Sequence, residues 1–105
     1  MTEKRKPTYD LDAIRAVFSS VEALSVTDTA LKTAAALGYS RQDIVATIQT
    51  IQRTHFYKSM TSYRDHRIWQ DVYHVPSETG TLYVKFTADA VTEFILLSFK
   101  ESGNA

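Results

Sequence analysis

The sequence predicts an α+β fold in which helices lead into an antiparallel sheet. Three observations carry this. Up to about residue 52, apolar residues recur at three- and four-residue intervals, as on one face of a helix. Beyond it they alternate, or run in aromatic, β-prone segments. The strand-like segments follow one another through short connections, which only antiparallel neighbours allow.

A basic arm spans residues 1–8, with Lys4, Arg5 and Lys6 leading to Pro7. Leu11, Ile14, Val17, Phe18 and Val21 then form a helical stripe behind Asp10, a capping residue type. Leu24-Ser25-Val26-Thr27 alternates and predicts a short strand. Thr27 or Asp28 caps a second, Ala-rich helix anchored by Leu31 and Leu37, and Gly38 stands where such a helix needs a left-handed residue to end. Ser40-Arg41-Gln42-Asp43 resembles a capping box and opens a third helix striped by Ile44, Val45, Ile48 and Ile51. In the second half, strands are expected over 55–63, 67–75, 81–87 and 91–100. They are separated by Arg64-Asp65-His66, by Pro76-Ser77-Glu78-Thr79-Gly80 and by Ala88-Asp89-Ala90. The result is a four-stranded meander in one domain spanning 1–105, with a flexible tail at 101–105.

With 44% hydrophobic and 23% charged residues, this is a globular composition rather than a disordered or low-complexity one. The absence of Cys removes disulfides and thiolate metal sites, and fits a reducing compartment. No apolar run approaches the ~20 residues of a membrane span, and no apolar segment follows the N-terminal basic residues as in a signal peptide. A cytoplasmic protein is expected. Twelve basic residues balance twelve acidic ones, so overall charge does not announce nucleic acid. The local balance is uneven, however: Arg53, Lys58, Arg64 and Arg67 stand against Asp65 alone within residues 51–70. A small basic surface on a neutral chain suits a short anionic footprint better than a long duplex.

The sequence contains no phosphate-binding loop, no dinucleotide fingerprint, no H-E-x-x-H and no nucleophile elbow. His55, His66 and His74 have spacings that match no metal-ligand pattern, so no metal site is predicted. What remains is a set of polar side chains on strands that need an apolar face. Lys58 falls between Phe56 and Met60 in an alternating strand, and Gln70 between Ile68 and Val72. Tyr83 and Lys85 oppose Leu82 and Val84, and Lys100 follows Leu96 and Ser98. Four neighbouring strands can bring these together on one sheet face. Asp65-His66 reads as a turn, Asp71 as a partner for Arg64 or Arg67, Trp69 as a core anchor, and His74 as a surface residue.

The run Phe56-Tyr57-Lys58-Ser59-Met60-Thr61-Ser62-Tyr63-Arg64-Asp65-His66-Arg67-Ile68-Trp69-Gln70-Asp71-Val72-Tyr73 resembles the signature F-Y-K-S-M-T-x-Y-x-D-H-x-x-W-Q-D-V-Y of the MqsR toxins. That family closes with G-x-x-Y-x-K and S-F-K, here Gly80 to Lys85 and Ser98-Phe99-Lys100. The likeness covers nearly the whole chain. It implies a RelE-like α+β fold and a type II toxin–antitoxin toxin that cleaves messenger RNA, with a GC-containing triplet such as GCU as the target. It also implies an MqsA-like antitoxin, zinc-binding and carrying a helix-turn-helix domain, through which alone operator DNA is reached. The family's active-site positions fall on Lys58, Gln70, Tyr83 and Lys100, and its RNA contacts on Tyr57 and Met60. Arg64, Arg67 and Lys85 are added as basic RNA contacts. Thr8 stands where members often carry His, and the neutral charge departs from the basic character of such toxins.

RNA brings its own nucleophile, the 2′-hydroxyl, so no cofactor is required. Lys58 and Lys100 suit charge stabilisation at the phosphorane, Tyr83 hydrogen-bond or proton donation, and Gln70 orientation. Either lysine becomes a candidate base if nearby positive charge lowers its pKa. Tyr57 offers a stacking face and Met60 an adaptable apolar contact. The competing reading is a non-catalytic module that binds single-stranded RNA through the same face.

Overall fold

The computed structural model describes residues 2–102. Three helices, α1 (Leu11–Val17), α2 (Asp28–Ala36) and α3 (Arg41–Gln49), pack on one face of a five-stranded antiparallel sheet. The strands are β1 (Glu3–Lys4), β2 (Phe56–Thr61), β3 (Trp69–Ser77), β4 (Gly80–Asp89) and β5 (Glu93–Glu101), ordered in the sheet as in the chain.

Local chemistry sets the helix limits. Asp10 caps α1 through the Asp12 N–H. The apolar stripe predicts a helix continuing to Val21, but α1 ends at Val17, and Val21 begins a short 3-10 turn, partly exposed. The Gln49 side-chain amide donates to the carbonyls of Arg15 and Phe18, both at 2.8 Å, and so satisfies the end of α1 from another helix. Thr27 caps α2 through the Ala30 N–H. At its other end the Tyr39 N–H reaches the Ala34 carbonyl and the Gly38 N–H that of Ala35, both at 2.9 Å, a Schellman pair with Gly38 at φ 88°. Ser40 and Asp43 exchange the two bonds of a capping box at α3.

Ile14, Phe18, Ile44, Ile48 and Ile51 meet Tyr73, Val75, Val84, Phe86, Leu96 and Phe99 between the helices and the sheet. Each such side chain, fully buried, contributes ~1.5–3 kcal/mol. The strand expected over 24–27 shrinks to a single bridge between Val26 and Leu96. There the Thr27 N–H and the Ser25 carbonyl bond Leu96, while the Thr27 and Thr33 hydroxyls donate to Leu97 and Phe99. The outer edge of β5 is thus covered by the chain's own helical half, which removes a site for foreign strand addition.

The N-terminal arm is not a loose extension. Glu3 pairs with Met60 and Lys4 with Ser59, making a fifth strand where the sequence predicts four. Asp71, completely buried, fastens the arm beyond β1: its carboxylate accepts from the Thr8 N–H at 3.0 Å and the Tyr9 N–H at 2.9 Å. The partner expected for Asp71 was an arginine, but Arg67 binds Asp65 instead. Trp69 is half-buried outside the main core, with the Lys4 ammonium 4.2 Å from its ring centre, and so is not a core anchor. At the other end Glu101 still pairs with Leu82 and the Ser102 N–H bonds the Thr81 carbonyl. Of the expected tail, residues 103–105 lie outside the described residues.

Candidate active site

The sheet face turned away from the helices carries the polar side chains, and two bulges decide which. In β2, Phe56 pairs with Tyr73 and Lys58 with Val72, so Tyr57 and Lys58 together oppose a single residue. Phe56 consequently turns to the helices, edge-on to Tyr73, while its neighbours Tyr57 and Lys58 both reach the open face. Simple alternation had put Phe56 and Lys58 on one face; the bulge separates them. In β5 the register jumps from Ser98 opposite Lys85 to Leu96 opposite Phe86, leaving Leu97 as the extra residue. Leu96 therefore joins the core, while Ser98 and Lys100 face outward, against the expectation that all three share a face.

Three rows of side chains cross this face. The first runs from Tyr57 through His74 and Tyr83 to Lys100. The second runs from Lys58 through Val72 and Lys85 to Ser98. The third contains Met60, Gln70 and Thr87. Rows lie two residues apart along a strand, about 7 Å. Lys58, Tyr83 and Lys100 thus occupy adjacent rows, and Gln70 lies one row beyond Lys58. All four predicted catalytic residues share the face, together with Tyr57, Met60 and Lys85.

Arg64 and Arg67 do not. They stand in the loop between β2 and β3, and Arg67 is spent on a two-point ion pair with Asp65 that also takes the Arg67 N–H. Arg53, on the helix side, binds Asp12. The basic cluster read from residues 51–70 is therefore a cluster in sequence, not in space. The positive charge of the face comes from Lys58, Lys85 and Lys100, with Arg5 reaching over the Tyr57 ring at 6.0 Å.

The residue missed is His74. Read as a surface histidine, it is half-buried in the middle of the first row. Tyr57 stacks on it with ring centres 4.1 Å apart and planes within 17°, and Tyr83 flanks its other side at 6.0 Å. Its only signal in the sequence was its parity with Gln70 and Val72 on β3. Also missed is Glu3, whose carboxylate binds the Lys58 ammonium at 2.7 Å.

These contacts set the protonation states. Hydrogen bonding to Glu3 raises the Lys58 pKa above the ordinary lysine value. Lys58 is thereby favoured as a cation, the opposite of the lowering that a base would need. Burial pushes the Tyr83 phenol up. Burial, then Lys100 and Lys58, pull Lys85 down. Burial, then the Lys58 charge, pull His74 down, so its neutral form dominates at neutral pH.

The three histidines do not gather: His55 accepts from the Gln52 N–H at one end of β2, and His66 lies in the loop beyond its other end. Two hollows lie away from this face. One, of about 540 Å³, is lined by Tyr39, Thr47 and Glu78, and another, of about 470 Å³, sits under the arm by Pro7 and Phe56. The candidate site is an open, cationic and aromatic surface rather than an enclosed pocket.

Comparison with known proteins places the chain in a family. Residues 6–101 match the family described as motility quorum-sensing regulator, toxin of MqsA. The chain belongs to the MqsR toxin family. It is 36% identical over 99 residues to the mRNA interferase toxin MqsR of Escherichia coli strain K12, spanning 94% of this chain and 98% of that protein. In this member of the MqsR family, the signature resembled by residues 56–73 builds β2, the loop after it and the first five residues of β3, and so supplies Tyr57, Lys58, Met60 and Gln70 to the polar face.

Proposed function

We propose that this protein is an mRNA interferase, the toxin of a toxin–antitoxin pair, and that it cuts single-stranded RNA on the open face of its sheet. The observation that carries the reading is the row from Tyr57 to Lys100, flanked by Lys58, in a chain of the MqsR toxin family. A base stacks on Tyr57, where an aromatic platform contributes ~1–3 kcal/mol per base. The scissile phosphate lies among Lys58, Lys85 and Lys100. In-line attack by the 2′-oxygen gathers charge on the phosphorane, and donors fixed near it accelerate such a step by ~10²–10³-fold each. Lys58 and Lys100 supply the charge, Tyr83 a hydrogen bond, and Gln70, one row away, orients the neighbouring nucleotide beside Met60. The chemistry runs on these side chains without a metal.

The cut falls in a GC-containing triplet such as GCU. The neutralising partner is an MqsA-like antitoxin that carries the zinc and the helix-turn-helix, so that operator DNA is reached through it alone. The pair acts in the cytoplasm; among the described residues no helix is long and apolar enough to cross a membrane. The test is to incubate the purified chain with a single-stranded RNA in chelator and map both ends of the fragments. A 5′-hydroxyl and a 2′,3′-cyclic phosphate are expected, with no cutting where the 2′-hydroxyl is methylated. Binding without cutting would select the non-catalytic module, and 5′-phosphate ends would overturn the 2′-hydroxyl mechanism.

A further inference from the structure

We infer that His74 is the general base of this ribonuclease, taking the proton of the RNA 2′-hydroxyl from its place between Tyr57 and Tyr83. The inference rests on the reading of the face as the cleavage site and assigns a role that the four polar positions leave vacant. Lys58 is favoured as a cation by Glu3. Tyr83 is a phenol made harder to ionise by burial. An imidazole is the side chain whose ordinary titration range suits proton abstraction near neutrality.

Its position also suits the task. Tyr57 stacks against one face of the imidazole with ring centres 4.1 Å apart, and so fixes the plane in which its nitrogens lie. Tyr83 separates His74 from Lys100, whose ammonium lies 5.2 Å from the Tyr83 ring centre. The phosphorane then sits over Tyr83, with a proton acceptor on one side and a donor on the other, as in-line displacement demands. The 2′-oxygen gives its proton to an imidazole nitrogen of His74 and forms the new bond to phosphorus. The P–O5′ bond breaks with its electron pair going to O5′, which takes a proton from the Lys100 ammonium.

Titratable and charged groups surround His74 from every element packed against it. From the N-terminal arm come Glu3, neutralised by its ion pair, and Arg5. From β2 come Tyr57 and Lys58, from β4 Tyr83 and Lys85, and from β5 Lys100. Burial between the two tyrosines, and after it the Lys58 charge, makes the imidazole lose its proton more readily than a solvated one, so it stays neutral at pH 7.

The experiment compares wild type, His74→Gln, His74→Phe and Glu3→Gln in single-turnover cleavage between pH 5 and 9. Affinity is measured in parallel on a 2′-O-methylated RNA. Wild-type rates should rise tenfold per pH unit and level off below the ordinary imidazole value of 6.5. His74→Gln and His74→Phe should lose ~10²–10⁴-fold in rate, together with the acid limb. Phe preserves the aromatic face on Tyr57, so its RNA affinity should stay within about threefold of wild type. Glu3→Gln should keep the acid limb. A His74 variant cutting within about threefold of wild type overturns the role, as does one that retains the acid limb or loses affinity as much as rate. Loss of the acid limb in Glu3→Gln instead would assign the base to Glu3. A wild type that cuts nothing overturns the ribonuclease reading itself, whereas a cutting wild type with unaffected His74 variants overturns this inference alone.

Discussion

The Glu3 carboxylate accepts a hydrogen bond from the Lys58 ammonium at 2.7 Å, so the N-terminal arm already places an anion on the lysine proposed to meet the RNA phosphate. The two side chains belong to β1 and β2 and meet because Glu3 pairs with Met60, two residues along from Lys58.

Glu3→Gln should therefore bind RNA more tightly than wild type. A unit charge about 4 Å away is worth ~1 kcal/mol in a water-like medium, or roughly fivefold in affinity. The pair is half-exposed on the Glu3 side, so its loss should cost under about 1 kcal/mol of stability. Fluorescence anisotropy with a non-cleavable RNA measures the first effect and urea melting the second. Weaker binding would mean that Glu3 holds Lys58 in place for the phosphate rather than competing with it.

Removing the face's polar groups should abolish cutting without unfolding the protein. Lys58→Ala and Lys100→Ala delete charge at the phosphorane, and Tyr83→Phe deletes only a hydroxyl. Each should slow cleavage by at least ~10²-fold. Gln70→Ala, one row away, should cost less. None of these side chains anchors the helix-side core, so stabilities should stay within about 1 kcal/mol of wild type. Chelator should change no rate. Wild-type cleavage by both Lys58→Ala and Tyr83→Phe would move the chemistry off this face.

The helix caps at Asp10, Thr27 and Ser40, the ending at Gly38 and the inward set on β4 were all legible, because each depends on residues close in sequence. What escaped depends on tertiary partners. Alternation alone cannot locate an extra residue, so the bulges at Tyr57 and Leu97 misplaced Phe56 and Leu96, though not Lys58 or Lys100. The end of α1 is set by Gln49, 31 residues beyond Phe18. Two-residue β1 carries too little pattern to read, and with it Glu3 was lost. His74 was passed over because a single histidine on a strand looks the same in sequence whether it faces water or two tyrosines. Local charge counts misled in the same way, since Arg53 and Arg67 turn to Asp12 and Asp65.

Asp71 gives a prediction about the arm. Its buried carboxylate receives the Thr8 and Tyr9 N–H groups, and the Thr8 hydroxyl shares a 2.7 Å hydrogen bond with Ser59 nearby. Asp71→Ala leaves two backbone donors without their acceptor. Hydrogen bonds to a charged group contribute ~1.5–3 kcal/mol each, so a loss of about 3–6 kcal/mol is expected in urea unfolding. Amide exchange at residues 3–9 should quicken more than in α3. A variant as stable as wild type would show that the arm is held by β1 pairing instead.

Tyr73 supplies a pH test of the core. The phenol is almost completely buried, and burial, followed by the Asp71 charge, pushes its pKa up to about 12. The folded state thus prefers the neutral phenol more strongly than the unfolded chain, where tyrosine titrates near 10. Its contribution is fully present below pH 10 and is lost as pH rises from 10 towards 12. A shift of that size corresponds to about 2–3 kcal/mol. Urea midpoints of wild type and Tyr73→Phe should keep a constant separation from pH 7 to 9.5. Above that, wild type should lose about 2–3 kcal/mol more than the variant, because Phe cannot ionise while the remaining tyrosines and lysines titrate in both proteins. Parallel curves to pH 12 would mean that the Tyr73 hydroxyl reaches solvent well enough to titrate as it does in the unfolded chain.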